Sequence, residues 1–374
     1  MGFASKNHSW SLVAQNICRE LIRLGHQVDM FSTNGLQHFP EDLKPNLIGW
    51  TEEGSNIING KLPVNSYELS LSYTAPHNFQ RYLTHGKIKF GIWTTELSGK
   101  GSLPSHFVSA YKNTTKVLPP SSFSRDVYAE NGVPFNHMEI VPHGYSDEFI
   151  LRDEIYPLKT DRKCKFLTTI GQIHRRKNIK GILEAWGQAF TKDDDVVLVA
   201  KLNLKSPKFA FEENWDILYS DFKRKYPKAA PIEVVGGFVD NISDLHRAAD
   251  AYICASFGEG FGIPSLNALI SNQILIAPEH GGHRDFSNET NSLLIRGKIV
   301  PAPINFQYWQ PSPRALMFQP DTAHLAELMR VVQRETNALK TKLLSNTQSI
   351  RDQYSWKSVA EQIVHLAQNE LDKF

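Results

Sequence analysis

Apolar residues recur at helical spacing over residues 10–24, WSLVAQNICRELIRL, where Trp10, Val13, Ile17, Leu21 and Leu24 share one face. Gly25 is a stop signal, and QVDMFST (27–33) then reads as a strand. The runs LSLSYT (69–74), IKFGIWTT (88–95), TKVLPPS (115–121) and MEIVPHG (138–144) predict further strands. A charged, turn-rich stretch, SDEFILRDEIYPLKTDRK (146–163), reads as a linker. Beyond it KFLTTIG (165–171) opens a second series, and NIKGILEAWGQAF follows as a helix with Ile179, Ile182, Leu183, Trp186 and Phe190 inward. VVLVAK (196–201), IEVVGGF (232–238), AYICAS (251–256) and ILIAP (274–278) come next, separated by helical segments. Continuous apolar strands between helices predict parallel sheets covered on both faces. The expectation is an α/β chain of two doubly wound, Rossmann-like domains facing one another across a cleft. Only about four residues precede the first loop, which reads as a truncated first strand or a start placed too late.

Length and composition fit that picture. The chain has 374 residues, 41% apolar and 21% charged, enough for two ordinary domains. A formal charge of +2 neither predicts nor excludes a polyanionic partner. Three cysteines, Cys18, Cys164 and Cys254, show no paired spacing, so neither a disulfide framework nor a zinc site is indicated. No apolar run approaches the ~18 residues that would span a bilayer. The opening residues lead us to expect no secretory signal, and in MGFASK the residue Lys6 stands where a myristoylation signal needs Ser or Thr. A cytoplasmic location is therefore expected.

Chemistry concentrates at two strand ends. In ASFGEGFGIPSLNAL (255–269) the carboxylate of Glu259 sits among Gly258, Gly260 and Gly262, and a helix starts at once, with Pro264 in its first turn. Glycines at such density suit a loop that something must approach closely, and the helix start suits an anion such as a diphosphate. The alternative is a tight turn with a solvated glutamate. IGQIHRRKNIKG (170–181) also follows a strand and opens a helix, bringing Arg175, Arg176 and Lys177. Taken alone, that triplet is a solvated basic surface. At the same sheet edge, the two loops converge on one diphosphate while Glu259 accepts hydroxyl protons from an attached sugar. The other motifs carry less. Asp193–Asp195 reads as a solvated loop rather than a metal–diphosphate site. His280 and His283 in HGGH read as a phosphate- or acceptor-contacting turn rather than zinc ligands. His143 reads as structural.

TTIGQIHRRKN, VVGGF, LHRAADAYICASFGEGFGIPSLNAL and APEHGGHRDF, in this order, resemble glycosyltransferase family 4, with the GT-B fold. GIWTTELSGKGSLPSHFVSAYKNTTKVLPPSSFSRDVYAENGVP and VPHGYSDEF resemble the acceptor-side domain of such enzymes, and YSWKSVAEQIVHLAQ resembles their terminal helix, which crosses back to the first domain. The resemblance covers essentially the whole chain. It implies an acceptor-binding domain at 1–148, a linker at 149–163, a donor-binding domain at 164–355 and a crossover helix at 356–374. It also implies a retaining hexosyltransferase that uses a nucleotide-diphosphate sugar, UDP-linked for preference, as co-substrate, with no metal and no other cofactor. Glu259, Lys177 and Arg176 would be catalytic. Gln172, Arg175, Gly237, Phe238, Gly258, Gly260, Phe261, Gly262, Ile263 and Asn267 would bind the donor. Asn7, His77, Trp93 and Glu96 would face the acceptor. The sequence departs from the family at Gln172, where an arginine is usual, at Asn267, where a second glutamate is usual, and in ASKNHSW, which lacks paired glycines. The expected acceptor is a hydroxyl of a glycan, lipid-linked sugar or other cell-envelope component. A hydroxylated pyrimidine in DNA, as in phage-type enzymes, is an alternative that Lys87, Lys89, Lys100 and Lys112 would equally serve. A non-catalytic GT-B binding or scaffold protein is the third reading.

Overall fold

The computed structural model describes residues 9–33, 35–36, 39–52, 58–60, 67–204, 212–237, 239–303, 312–345 and 347–374. The chain divides into two compact units. The first comprises Met1–Thr95, Leu103–Ser146 and Asp352–Phe374; the second comprises Glu96–Ser102 and Asp147–Arg351.

In the first unit, helix α1 (Ser9–Arg23) buries Val13 and Ile17, while Leu24 falls just past its end and is exposed. Strands β1 (Met30–Ser32), β2 (Leu47–Thr51) and β3 (Ile58–Gly60) form one sheet. Strands β4 (Tyr67–Tyr73), β5 (Gly86–Ile92) and β6 (Lys116–Leu118) form a parallel sheet in sequential order. Helix α2 (Ser122–Glu130) starts at Ser121, whose hydroxyl accepts from Ser124 N. The run MEIVPHG does not become a strand. It follows β6 with two hydrogen bonds, Glu139 N to Val117 O and Val141 N to Pro119 O. Pro119, Pro120 and Pro142 have no N–H to extend the ladder. The C-terminal helix, Trp356–Leu371, packs on α1 and β5 within this unit.

The second unit is built on a six-stranded sheet. Its strands are β7 (Cys164–Ile170), β8 (Val196–Leu202), β9 (Ile232–Gly236), β10 (Ala251–Ile253), β11 (Ile274–Pro278) and β12 (Ser292–Ile295), all parallel, in the order β12-β11-β10-β7-β8-β9. Helices α3 (Ile179–Ala189), α4 (Trp215–Lys225), α5 (Ile263–Ile270) and α6 (Thr322–Leu343) belong to it. Trp186, Phe166 and Phe190 meet edge to face or tilted at the centre of the core beneath α3. An antiparallel pair, β13 (Gly297–Pro301) and β14 (Leu316–Pro320), follows β12. The segment Glu96–Ser102 joins this pair through a bridge between Ser98 and Leu316, with Leu97 buried beside Ala315. This is the doubly wound architecture that the strand pattern predicts. Among the described residues, no helix is long and apolar enough to cross a membrane.

Candidate active site

The sheet order reverses between β7 and β10, since β8 and β9 lie to one side of β7 and β10 to β12 lie on the other. Ligands bind beyond the carboxyl ends of strands at such a switch point. Both chemically loaded loops leave the sheet here, one between β7 and α3 and the other between β10 and α5.

Backbone geometry stitches them together. Arg175–Lys177 forms a single tight turn, after which Asn178 adopts a left-handed conformation (φ 53°) as the N-cap of α3. Its Oδ1 accepts from Gly181 N at 3.1 Å and its Nδ2 donates to Ala255 O at 3.0 Å. Phe257 N donates to Arg176 O at 2.8 Å, and Arg176 Nη1 donates to Gly258 O at 2.6 Å. The glycine at 258 has a steric reason, because a Cβ there would stand 2.0 Å from the Glu96 carbonyl oxygen. Gly262 has a conformational one, holding φ at 92° where α5 begins.

Glu259 is only 8% exposed. Lys177 Nζ donates to its Oε1 at 2.7 Å, and Arg176 Nη1 lies 3.4 Å from the same oxygen. Arg176 is itself buried and shares its other nitrogen, Nη2, with Glu96 Oε1 at 3.6 Å. Burial pushes the Glu259 carboxyl up, but Lys177 and Arg176, with a bond from Ser256, outweigh it and hold the pKa at about 2. The carboxylate is therefore ionised throughout the neutral range. His174, beside the two cations, goes the other way: burial first, then Arg176 and Lys177, lower it to about 2, so it is neutral. Thr169, Ile170, Lys177, Ser256, Glu259 and Pro264 line one cleft at this edge.

The remaining positions divide. Gly260 and Phe261 are buried in the loop, Phe261 against Phe286, and Ile263 opens α5. Asn267 is half-buried one turn into α5, and its amide oxygen is buried without a hydrogen-bond partner among the described residues. Gln172 is exposed and bonds the Glu212 carboxylate, and Arg175 is exposed, its charge opposing the burial that raises Glu213. Gly237 (φ 75°) follows β9 directly, and its carbonyl accepts from Lys201 Nζ at 2.6 Å. Phe238 and Asn7 lie outside the described residues. In the first unit, His77 is exposed and stacks on Phe107, while Trp93 is buried between Trp10 and Phe107, with no partner for its indole N–H among the described residues. Glu96, expected on the acceptor side, sits in the second unit beside Arg176.

Three further motifs resolve as structure. His283 is fully buried and bonded to Pro278 O, while His280 stacks on Phe318. Asp194 caps its own turn at Thr191 and pairs with Arg330. His143 packs against Tyr73 and Trp356, and burial lowers its pKa to about 3.

Sequence reasoning missed Ser256, the link from Glu96 to Arg176, and Lys201. A signal for Lys201 existed, since it is a lone cation closing the apolar run VVLVA.

Residues 153–303 match the family model for glycosyl transferases group 1. Mannosylfructose-phosphate synthase of Agrobacterium fabrum is 21% identical over 187 residues, and the match spans 47% of this chain and 40% of that relative. Among solved structures, sucrose-phosphate synthase of Thermosynechococcus elongatus superposes over 100% of this chain and 96% of its own, with a TM-score of 0.69 and 13% identity. HepE of Anabaena, in complex with UDP and glucose, covers 81% of this chain and 78% of its own, with a TM-score of 0.58 and 14% identity. The fold is GT-B, and the family match supports a glycosyltransferase.

Proposed function

We propose that the chain is a retaining, family 4-like glycosyltransferase that moves a hexose from a nucleoside-diphosphate sugar, UDP-linked by preference, to a hydroxyl of a glycan or cell-envelope acceptor. The observation that carries this reading is the Lys177–Glu259 pair, its carboxylate buried, held between two loops at the switch point and beside the start of α5. Lys177 and the positive end of α5 would take the charge that develops on the departing diphosphate. Glu259, ionised and fixed, would accept protons from hydroxyls of the transferred sugar and orient its anomeric carbon. Donor binding then exchanges the Lys177–Glu259 bond for two new ones, phosphate to lysine and sugar to glutamate. Arg176, clamped between Gly258 O, Glu259 and Glu96, holds the loop in position rather than reaching for the donor. Asn267 would meet the ribose as a neutral partner. In this reading the positive charge comes from the protein, no metal is required, and the reaction takes place in the cytoplasm.

The test is to incubate the protein with UDP-sugars, with and without chelator, and to follow UDP release and the anomeric proton of the product by NMR. The proposal expects release in chelator and a product with the donor's anomeric configuration. Inversion, or release only with added manganese, would overturn the corresponding part.

A further inference from the structure

Lys201, the last residue but one of β8, is in register with Thr169 of β7, which lines the cleft, so the two side chains leave the same face of the sheet. It is half-buried, and among the described residues it donates to Gly237 O, just past the end of β9. Among the described residues no carboxylate pairs with it, and burial holds its pKa below the ordinary lysine value. An ammonium has three donors, so N–H groups remain uncommitted at the ligand edge of the sheet. Tethering a loop carbonyl needs only a neutral donor, whereas a half-buried, unneutralised cation carries a desolvation cost.

Position selects the ligand group. The diphosphate reading places phosphates between β7 and β10. Strands lie ~4.8 Å apart, so the end of β9 is about 12 Å farther along, roughly the reach of a nucleoside from its 5′-phosphate. We infer that Lys201 reads the donor's base, donating to a keto oxygen at the position equivalent to O4 of uracil or O6 of guanine. Adenine and cytosine present an amino donor there and offer this lysine no acceptor. The inference rests on the donor reading above and adds the class of base to it.

The experiment measures dissociation constants of UDP, GDP, CDP, ADP and inorganic pyrophosphate for the wild-type protein and for Lys201→Met, with thermal melting as the check on folding. The wild type should prefer UDP or GDP over CDP and ADP. Lys201→Met should weaken the preferred nucleotide by roughly ten- to a hundredfold, as for loss of a charged hydrogen bond, and leave pyrophosphate unchanged. Equal weakening of all five ligands would mean that Lys201 contacts phosphate, and no change would mean that it only holds Gly237; either overturns the inference. Preference of the wild type for CDP or ADP overturns it without any variant. Failure of the wild type to bind every nucleoside diphosphate overturns the donor reading itself, and this inference with it.

Discussion

A carboxylate enclosed by glycines, as Glu259 is, stays ionised only if cations answer it, because burial alone favours the neutral acid. Lys177 and Arg176 do so, which makes the residue a source of stability. Its folded pKa of about 2 lies below the ordinary value of 4.5. The contribution is therefore complete above pH 4.5 and is lost as pH falls toward 2. The buried histidines act earlier. His143 at about 3 and His246 at about 4, both lowered by burial, resist protonation that the unfolded chain accepts below about pH 6.5. Glu259→Gln should then be less stable than wild type by about 3 kcal/mol at pH 7, because the half-buried Lys177 loses its charged partner and the buried Arg176 loses one of its two. Urea denaturation should show that gap closing between pH 4.5 and 2, with the decline above pH 4.5 common to both proteins. A gap that stays constant with pH would show that the pair does not depress the carboxyl.

Among the elements, α3 and its entry turn show how a loop is fixed. Asn178 supplies a left-handed backbone, an N-cap and a bond to the neighbouring loop at once. Asn178→Gly keeps the backbone freedom and loses the other two, for about 1–2 kcal/mol. Asn178→Ala adds left-handed strain of about 1–2 kcal/mol. Thermal melts should rank wild type above Asn178→Gly and Asn178→Gly above Asn178→Ala; the reverse order of the two variants would contradict the assigned conformation. Periodicity made α3 and the apolar strands β7 to β11 readable, because buried strands carry continuous apolar runs. It misled at MEIVPHG, where prolines remove the ladder donors. It also passed over β13, whose residues Gly297–Pro301 are largely exposed and show no apolar run.

At the scale of the whole molecule, the site's ingredients were legible in the two loops, but not their connections. Glu259, Arg176 and Lys177 stand out as residue types at strand ends. That Glu96 shares Arg176, about eighty positions along the chain, depends on tertiary packing that no local pattern encodes. The same holds for Gly258, whose missing side chain makes room for the Glu96 carbonyl.

The most direct measurement is calorimetric titration of UDP into the wild type and into Lys177→Ala. The account predicts saturable binding to the wild type. Because a charge-assisted contact is removed, it predicts roughly ten- to a hundredfold weaker binding to a folded Lys177→Ala. Equal affinity in the two proteins would contradict it, as would the absence of UDP binding to the wild type.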